Sequence, residues 1–202
     1  MVECNFLENK LKDYFEILSS KTPIPGGGSA VCCLASLSSS LINMVLNYTI
    51  GKKEYEKFQE ELNKIKERNY EILKECTNFI EEDSRIYKKI DEAIKGKKDA
   101  EEYLKSSANL HLKICNYMFE IVDFCDILVE KGNRNLISDT GISNIFAYSA
   151  FLGAKINILI NLKYIKDNEF KEQIKNKIEE MEEKVKEKSK DINKKIVEKM
   201  GV

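Results

Sequence analysis

Asp83 carries the clearest sign of chemistry in the sequence. It lies between two apolar pairs, Phe79-Ile80 and Ile86-Tyr87, in a segment whose apolar residues recur every three or four positions. A helix with this spacing buries that side. A carboxylate there loses its water, and its pKa moves away from that of a free Asp unless a cation pairs with it. The position suits a general acid or base, and equally a salt bridge at a helix crossing.

A run of glycines, Pro25-Gly26-Gly27-Gly28-Ser29, provides the second chemical signal. Three successive glycines let the backbone turn sharply and approach another group closely, and Ser29 is a natural N-cap for the helix that follows. The free backbone N–H groups and the positive dipole end of that helix suit an anion or a developing negative charge. The run is not a P-loop, because no Gly-Lys-Ser/Thr follows it.

Polar side chains recur along one face of the helix predicted after the glycines. They follow one another at steps of four and three residues, as Ser29, Cys33, Ser36, Ser40, Asn43 and Asn47. Buried polar groups need hydrogen-bond partners, so this face forms an internal network or the wall of a polar cavity, and the pattern alone favours the network. Asn157 and Asn161, one turn apart in an apolar stretch, indicate another wet inner face.

Three further groups have a structural explanation beside a functional one. Gly51-Lys52-Lys53 stands at the far end of the same helix, where a glycine C-cap and cations favoured by the helix dipole are expected. The polar loop Lys131-Gly132-Asn133-Arg134-Asn135 precedes Ser138-Asp139, both good helix caps, and it either connects two helices or reaches a site. His111, with a leucine on either side, is expected to be a surface histidine or a core histidine with satisfied hydrogen bonds.

The segment between Lys21 and Lys52 contains no charged residue, whereas charges recur every few positions elsewhere. Its length would span a bilayer, but its serines and asparagines make it too polar for an ordinary lipid-facing helix. We therefore expect a helix buried on nearly all sides within protein. Its small residues would let neighbouring backbones, from one or two subunits, approach closely.

Hydrophobic periodicity predicts an all-α fold, a bundle of about six long helices that dimerises through the charge-free helix. The predicted helices span Phe6–Leu18, Ser29–Ile50, Glu54–Ile94, Asp99–Glu130, a segment from Ser138-Asp139 to Lys166, and Asp167–Met200. The last carries one narrow apolar stripe among Lys and Glu. This is typical of a solvated helix docked along one side, or of a coiled-coil partner.

Composition sets the broader limits. With 202 residues, 43% of them hydrophobic, the chain is expected to form one domain, residues 1–202, around a sizeable core. A net charge of −1 gives no general attraction to nucleic acid or to a membrane surface, so neither is expected as a partner. Six cysteines without paired spacing indicate buried thiols in a reducing cytoplasm and no metal site. The N-terminus lacks the order of a signal peptide.

Taken together, the motifs resemble those of the cyclodeaminase/cyclohydrolase family. The resemblance rests on their order and spacing over nearly the whole chain, and the motifs are Pro25–Ser29, Asn47–Tyr55, Asp83, Gly132–Gly141 and Asn157–Leu162. The family includes the cyclodeaminase half of formiminotransferase-cyclodeaminase and stand-alone bacterial methenyltetrahydrofolate cyclohydrolases.

This resemblance implies an all-helical homodimer with no bound cofactor, whose substrate is a tetrahydrofolate derivative held at the glycine-rich helix start. It implies one of two reactions. The first closes 5-formiminotetrahydrofolate to 5,10-methenyltetrahydrofolate with loss of ammonia, and the second hydrates the methenyl form to 10-formyltetrahydrofolate. The alternative is a folate-binding or scaffold protein that has kept the fold without turnover.

The resemblance also suggests roles for individual residues. Asp83 would be the proton shuttle, and Asp139 would assist it or merely cap its helix. Backbone N–H groups of Gly26, Gly27, Gly28 and Ser29 would hold the pterin or the substituents of the reacting carbon. Lys52 and Lys53 would attract the glutamate tail or serve only at the surface. The other predicted binding residues are Pro25, Asn47, Asn133, Asn135, Ser138, Asn157 and Asn161.

Overall fold

The computed structural model describes residues 4–201 and consists of long helices in that range, which confirms the all-α prediction. The six α-helices are α1 (Leu11–Leu18), α2 (Gly27–Asn47), α3 (Gln59–Lys95), α4 (Glu101–Lys131), α5 (Ile137–Leu162) and α6 (Asn168–Met200). Two short 3₁₀ helices, Lys53–Phe58 and Arg134–Leu136, precede α3 and α5.

Helix α2 packs against α3, α4 and α5, because it has no charge to keep in water and many small side chains. Ala35, Ile42 and Leu46 on its inner side are wholly buried. The helices also approach closely where Gly153 of α5 faces Val31, since a Cβ at Gly153 would stand 2.6 Å from a Val31 methyl carbon. The charge-free segment is therefore a core helix on its inner side, whereas its composition predicts burial on nearly all sides; half of its most apolar window is buried within this chain.

Polar groups on the inner side of α2 pair across helix contacts. The hydroxyl of Ser38 donates to the carbonyl of Ser143 at 2.8 Å, and the hydroxyl of Ser143 donates back to the carbonyl of Ser38 at 2.9 Å. Ser39 and Asn69 make the corresponding contacts between α2 and α3. These bonds remove the cost of burying the hydroxyls and fix the register of the helices.

The polar face predicted on α2 is divided rather than continuous. Ser36 and Ser40 donate to carbonyls one turn back in their own helix, and Asn43 and Asn47 line a surface groove towards α3. The predicted single network is therefore wrong. Hydroxyls in a helix satisfy themselves locally before they can join a chain of contacts.

Several helix starts differ from the sequence prediction. Helix α1 begins at Leu11, not Phe6. Helix α2 is capped at Gly26, which places Ser29 in its first turn. Helix α5 begins at Ile137, so Ser138 and Asp139 lie inside its first turn and do not cap it. A glycine begins α2 and a 3₁₀ helix leads into α5, so both helices start earlier than the serine signals suggested.

Helix α6 docks along one side against α4 and α5, as its narrow stripe predicts. Ile178, Val185 and Ile192 are buried, and Lys188 and Lys195 form ion pairs with acidic residues of α4. Its N-cap is Asp167, whose carboxylate accepts a hydrogen bond from the backbone N–H of Phe170 at 3.0 Å.

Two stretches are long and apolar enough to cross a membrane by length and composition, namely Gly27–Asn47 and Arg134–Leu162. Half of the most apolar window of the first and 39% of that of the second are buried inside the protein. The rest includes exposed Leu37 on α2 and exposed Ile145 and Ile156 on α5. Core helices of soluble proteins can have the same length and composition. What needs an explanation is the exposed apolar side of these two stretches.

Candidate active site

A cavity of about 600 Å³ lies where the N-terminal ends of α2 and α4 meet the C-terminal parts of α3 and α5. Its floor is formed by Gly26, Gly27 and Gly28, with Asp83 beside them, and amide side chains enter from Asn157 and Asn161. Tyr87, Ile90, Leu104 and other apolar side chains provide most of the wall. The size and the few converging polar groups are typical of a small-molecule site.

Asp83 lies directly against the start of α2. The backbone N–H of Ser29 donates to its carboxylate, and a Cβ at Gly28 would overlap the carboxylate, lying 2.6 Å from Cγ of Asp83. Any side chain at Gly28 would therefore displace Asp83. The glycine at this position is required by the close approach, which is the mechanical role that the sequence suggested.

His111 is the second titratable group of the site, a role that its sequence neighbours did not predict. Its ring is 1% exposed, and its Nε2 lies 3.5 Å from Oδ1 of Asp83. Its Nδ1 lies 2.9 Å from the backbone carbonyl of Ser107. The hydroxyl of Ser107 in turn accepts a hydrogen bond from Asn161 at 3.0 Å, so the pair is tied to α5.

Burial moves the two pKa values towards each other. Burial raises the pKa of Asp83, while the charge of His111 and the Ser29 N–H oppose the rise. Burial lowers the pKa of His111, opposed by the charge of Asp83 and by the Ser107 carbonyl. A carboxyl that keeps its proton more readily than usual suits general acid catalysis near neutral pH.

Tyr14 of α1 supports the site from behind. Its hydroxyl lies 3.0 Å from the hydroxyl of Ser29, and both side chains are buried. Burial also raises the pKa of Tyr14, which keeps its phenol neutral. This contact holds the first turn of α2 in place, and with it the N–H that reaches Asp83.

The structure separates the predicted site residues into two groups. Gly26, Gly27, Gly28, Asp83, Asn157 and Asn161 line one cavity, with Pro25 and Ser29 buried next to it. Asn47, Lys52, Lys53, Asn133, Asn135, Ser138 and Asp139 do not line it. Helix α2 has 21 residues and is about 30 Å long, and the second group gathers around its other end.

At that other end, the Asn-rich loop has a structural role in this chain. The side chain of Asn133 donates to the carbonyl of Tyr48 at 2.9 Å, and its backbone N–H donates to the hydroxyl of Thr49 at 3.0 Å. These contacts fasten the start of α5 to the end of α2. Lys52 and Lys53 line a separate shallow hollow there.

The residues that flank His111 in the sequence give no sign that it belongs to the site. It belongs to α4, whereas Asp83 belongs to α3, and its flanking leucines suggest an ordinary core position. The available signal was that the sole histidine of the sequence stands between two leucines and that Asp83 interrupts an apolar seam. A buried carboxyl group, which can become an anion, and a buried imidazole, which can become a cation, are most stable when they lie next to each other.

Fold and site together define a class: an all-helical protein with a carboxyl–imidazole pair at the glycine-rich start of a core helix, facing a cavity of ligand size. A sequence profile of the formiminotransferase-cyclodeaminase family matches residues 10–180. The chain therefore belongs to this family, as its motifs suggested.

Three known proteins illustrate the relationship. The methenyltetrahydrofolate cyclohydrolase of Methylorubrum extorquens is 30% identical over 181 residues, covering 84% of this chain and 86% of that protein. The formimidoyltransferase-cyclodeaminase of Mus musculus is 24% identical, covering 87% of this chain but 35% of the mouse protein. The crystal structure of formiminotetrahydrofolate cyclodeaminase from Thermotoga maritima has a TM-score of 0.81 at 26% identity, with 96% of each chain covered. The chain thus matches the two shorter relatives over nearly their whole length and about a third of the mouse protein.

Proposed function

We propose that this protein is an enzyme of folate one-carbon metabolism that closes 5-formiminotetrahydrofolate to 5,10-methenyltetrahydrofolate and releases ammonia. The observation that carries the proposal is the position of Asp83, which faces a ligand-sized cavity and touches the glycine-rich start of α2. The Thermotoga maritima cyclodeaminase, similar over 96% of both chains, supports this choice of reaction.

The chemistry needs proton transfer and little else. N10 of the substrate attacks the formimino carbon, so an N10–C bond forms and N10 gives up its proton. The bond from that carbon to the imino nitrogen breaks, and the nitrogen leaves as ammonia after gaining two protons. One is the proton from N10, and the other comes from an acid. Protonated Asp83 supplies the acid and is recharged from solvent.

The cavity suits the heterocyclic ring of such a substrate better than its negatively charged glutamate tail. The apolar wall and the Asn157 and Asn161 amides suit a flat, hydrogen-bonding heterocycle, whereas Asp99 and Glu101 at the edge repel carboxylates. In the described part of the chain, no lysine or arginine lines this cavity. We therefore infer that Lys52 and Lys53 could contact a glutamate tail only from a second copy.

We also propose that the chain forms a homodimer in the cytoplasm, without nucleic-acid or membrane partners and without a bound cofactor. The outward sides of α2 and α5 carry exposed Leu37, Ile142 and Ile145, and the contact of Ser38 with Ser143 holds the two helices side by side. A second copy would cover this apolar surface. The free, mostly buried cysteines fit a reducing compartment.

A second reaction is favoured by one observation, the 30% identity to a cyclohydrolase of matching length. In that reaction water adds to the methenyl carbon and the C–N5 bond breaks. One water proton moves to N5, and the other is released as 10-formyltetrahydrofolate forms. Asp83 would then act first as a base and afterwards as an acid on N5.

The first test mixes purified protein separately with 5-formiminotetrahydrofolate and 5,10-methenyltetrahydrofolate and follows the methenyl chromophore. Appearance of the chromophore with ammonia release supports the cyclodeaminase, and its loss above the buffer rate supports the cyclohydrolase. If folded protein changes the chromophore with neither substrate, both reactions are rejected.

Replacing the central acid tests the site itself. Asp83→Asn keeps the shape but cannot carry a proton, so turnover should fall by roughly 10²-fold or more. Asp91→Asn is the matched control, because Asp91 lies on the same helix and pairs with Lys95 away from the cavity. A near-normal rate for Asp83→Asn would end the assignment.

A further inference from the structure

The orientation of His111 determines where its protons can be. Its Nδ1 lies 2.9 Å from the carbonyl oxygen of Ser107, and a carbonyl can only accept a hydrogen bond. Nδ1 therefore carries a hydrogen in both the neutral and the charged ring. The remaining nitrogen, Nε2, is wholly buried, makes no hydrogen bond of its own and is directed at Asp83.

The contact between Nε2 and Oδ1 of Asp83, at 3.5 Å, is favourable with one proton between the two groups. With no proton, the lone pair of the wholly buried Nε2 would face a carboxylate. With two protons, an imidazolium N–H would face a carboxyl group and one buried charge would be unpaired. One proton gives either a carboxyl O–H directed at a neutral ring or a carboxylate beside an imidazolium.

We propose that Asp83 and His111 hold one proton in common, and that His111 is a positioning residue that keeps this proton available to Asp83. The inference rests on the proposed function for its catalytic meaning. The sharing of the proton stands on geometry alone. The one-proton state is neutral overall in both of its forms, so the proton can change sides without leaving a net buried charge.

The other groups around Asp83 do not replace this partner. Helix α1 contributes the neutral phenol of Tyr14, bonded to Ser29. Helix α2 contributes the thiol of Cys32, whose pKa burial and the neighbouring Asp83 raise well above the ordinary value. Helix α5 contributes the amides of Asn157 and Asn161. None of these side chains is a cation near neutral pH.

A shared proton suits the proposed reaction. Asp83 gives its own proton to the departing nitrogen, then takes the proton from N10 and passes it to the same nitrogen, which leaves as ammonia with both protons. Whenever Asp83 is ionised the imidazole stabilises the carboxylate, and solvent returns the proton that the pair has lost. Because Ser107 fixes the ring and Asn161 fixes Ser107, the substrate-facing amide and the acid are coupled through one set of hydrogen bonds.

Nuclear magnetic resonance can observe this proton directly, because His111 is the one histidine in the sequence. Protein labelled with ¹⁵N-histidine gives a single pair of ring nitrogen signals, which can be titrated over about pH 5 to 9. We expect Nε2 to titrate in the wild type, and its titration to move by about one pH unit or more to lower pH in Asp83→Asn. The sign follows because the negative charge of Asp83 raises the pKa of His111.

An ordinary core histidine would titrate alike in the wild type and in Asp83→Asn, and that result would overturn the proposal. Asp91→Asn is again the control, and its signals should match those of the wild type. The measurement needs no turnover. If neither folate substrate reacts, the proposed function fails while the shared proton is still tested.

Kinetics provide the second readout. In the one-proton state a neutral ring accepts the carboxyl O–H of Asp83 through Nε2, which favours the protonated acid. In His111→Gln the side-chain amide instead donates an N–H to the Asp83 carboxylate and favours its ionised form. The alkaline limb of kcat/KM should therefore move to lower pH by about one unit or more. An equal loss of rate at every pH, with the limb unmoved, would assign His111 a packing role and overturn the proposal.

Discussion

Two opposing influences act on the carboxyl group of Asp83, which lies against Gly28. The first turn of α2 offers a backbone N–H and the positive end of a helix dipole, which favour the carboxylate. Burial favours the protonated acid and raises the pKa of Asp83. The acid thus keeps a proton more readily than a free Asp but can still release it, as a proton shuttle requires.

Gly28→Ala should lower kcat by about 10²-fold, because misplacement of a catalytic group by about 1 Å costs that much. The new methyl group would overlap the carboxylate and force Asp83 away from the Ser29 N–H. Steady-state kinetics on the substrate that reacts in the first test measure this loss.

Gly27→Ala is the matched control for changes to the start of the helix, since a Cβ there meets nothing within 4 Å. Its melting temperature should stay near that of the wild type, and its kcat should exceed that of Gly28→Ala by about tenfold or more. Equal loss of kcat in both variants would mean that the glycines matter for backbone freedom, and not for the space taken by Asp83.

At the scale of the helices, periodicity predicted the elements well and their contacts poorly. The seam of α3 identified Asp83 because a carboxylate interrupting an apolar stripe is visible within one helix. The pairing with His111 was not visible, because it depends on how α3 and α4 cross. The buried histidine and the divided polar face of α2 were missed for the same reason: hydrogen bonds across helices leave no periodic trace in one segment.

Helix ends were predicted where a side chain caps them and missed where backbone geometry does. Asp167 was placed correctly at the start of α6, where its carboxylate caps the helix. Ser29 and Ser138 were expected to cap α2 and α5, but Gly26 and a 3₁₀ turn begin these helices. A serine in the first turn and a serine at the cap give the same local sequence signal.

The cap of α6 provides a prediction at this scale. Asp167→Ala removes the acceptor for the Phe170 N–H and the partner of Lys105, so the melting temperature should fall by about 2–4 °C. Asp167→Asn is the control, because its side-chain oxygen can still cap the helix, and it should lose less. Thermal unfolding followed by circular dichroism measures both variants.

The pH dependence of this loss has a definite sign. The Phe170 N–H and then Lys105 lower the pKa of Asp167 in the folded protein. Its contribution is therefore present above the ordinary carboxyl pKa of about 3.9 and disappears as the pH falls through the lowered value. The gap between the wild type and Asp167→Ala should narrow below about pH 4, and a constant gap would contradict a role for the charged form.

At the scale of the whole molecule, the predicted site residues lie at both ends of α2. One end holds the cavity with Asp83, and the other holds Lys52, Lys53 and the loop that Asn133 fastens. Between the two ends runs the outward apolar side of α2 and α5. Ile160 of α5 belongs both to this side and to the wall of the cavity, so whatever covers the surface also borders the site.

If a second copy of the chain covers the apolar surface of α2 and α5, the protein is a dimer, and this can be tested. Wild-type protein should have twice the 23.3 kDa mass of one chain in light scattering, and Ile145→Glu should shift it to the single-chain mass, because a buried unpaired carboxylate opposes association. Val197→Glu is the matched control. Val197 on α6 is 50% exposed, as is Ile145, but lies outside the surface formed by α2 and α5, so this variant should remain dimeric. If Ile145→Glu is still a dimer, or if the wild type is monomeric at every concentration, this surface is not the dimer interface. If Ile145→Glu is monomeric while the wild type and Val197→Glu are dimers, the interface lies beside the cavity.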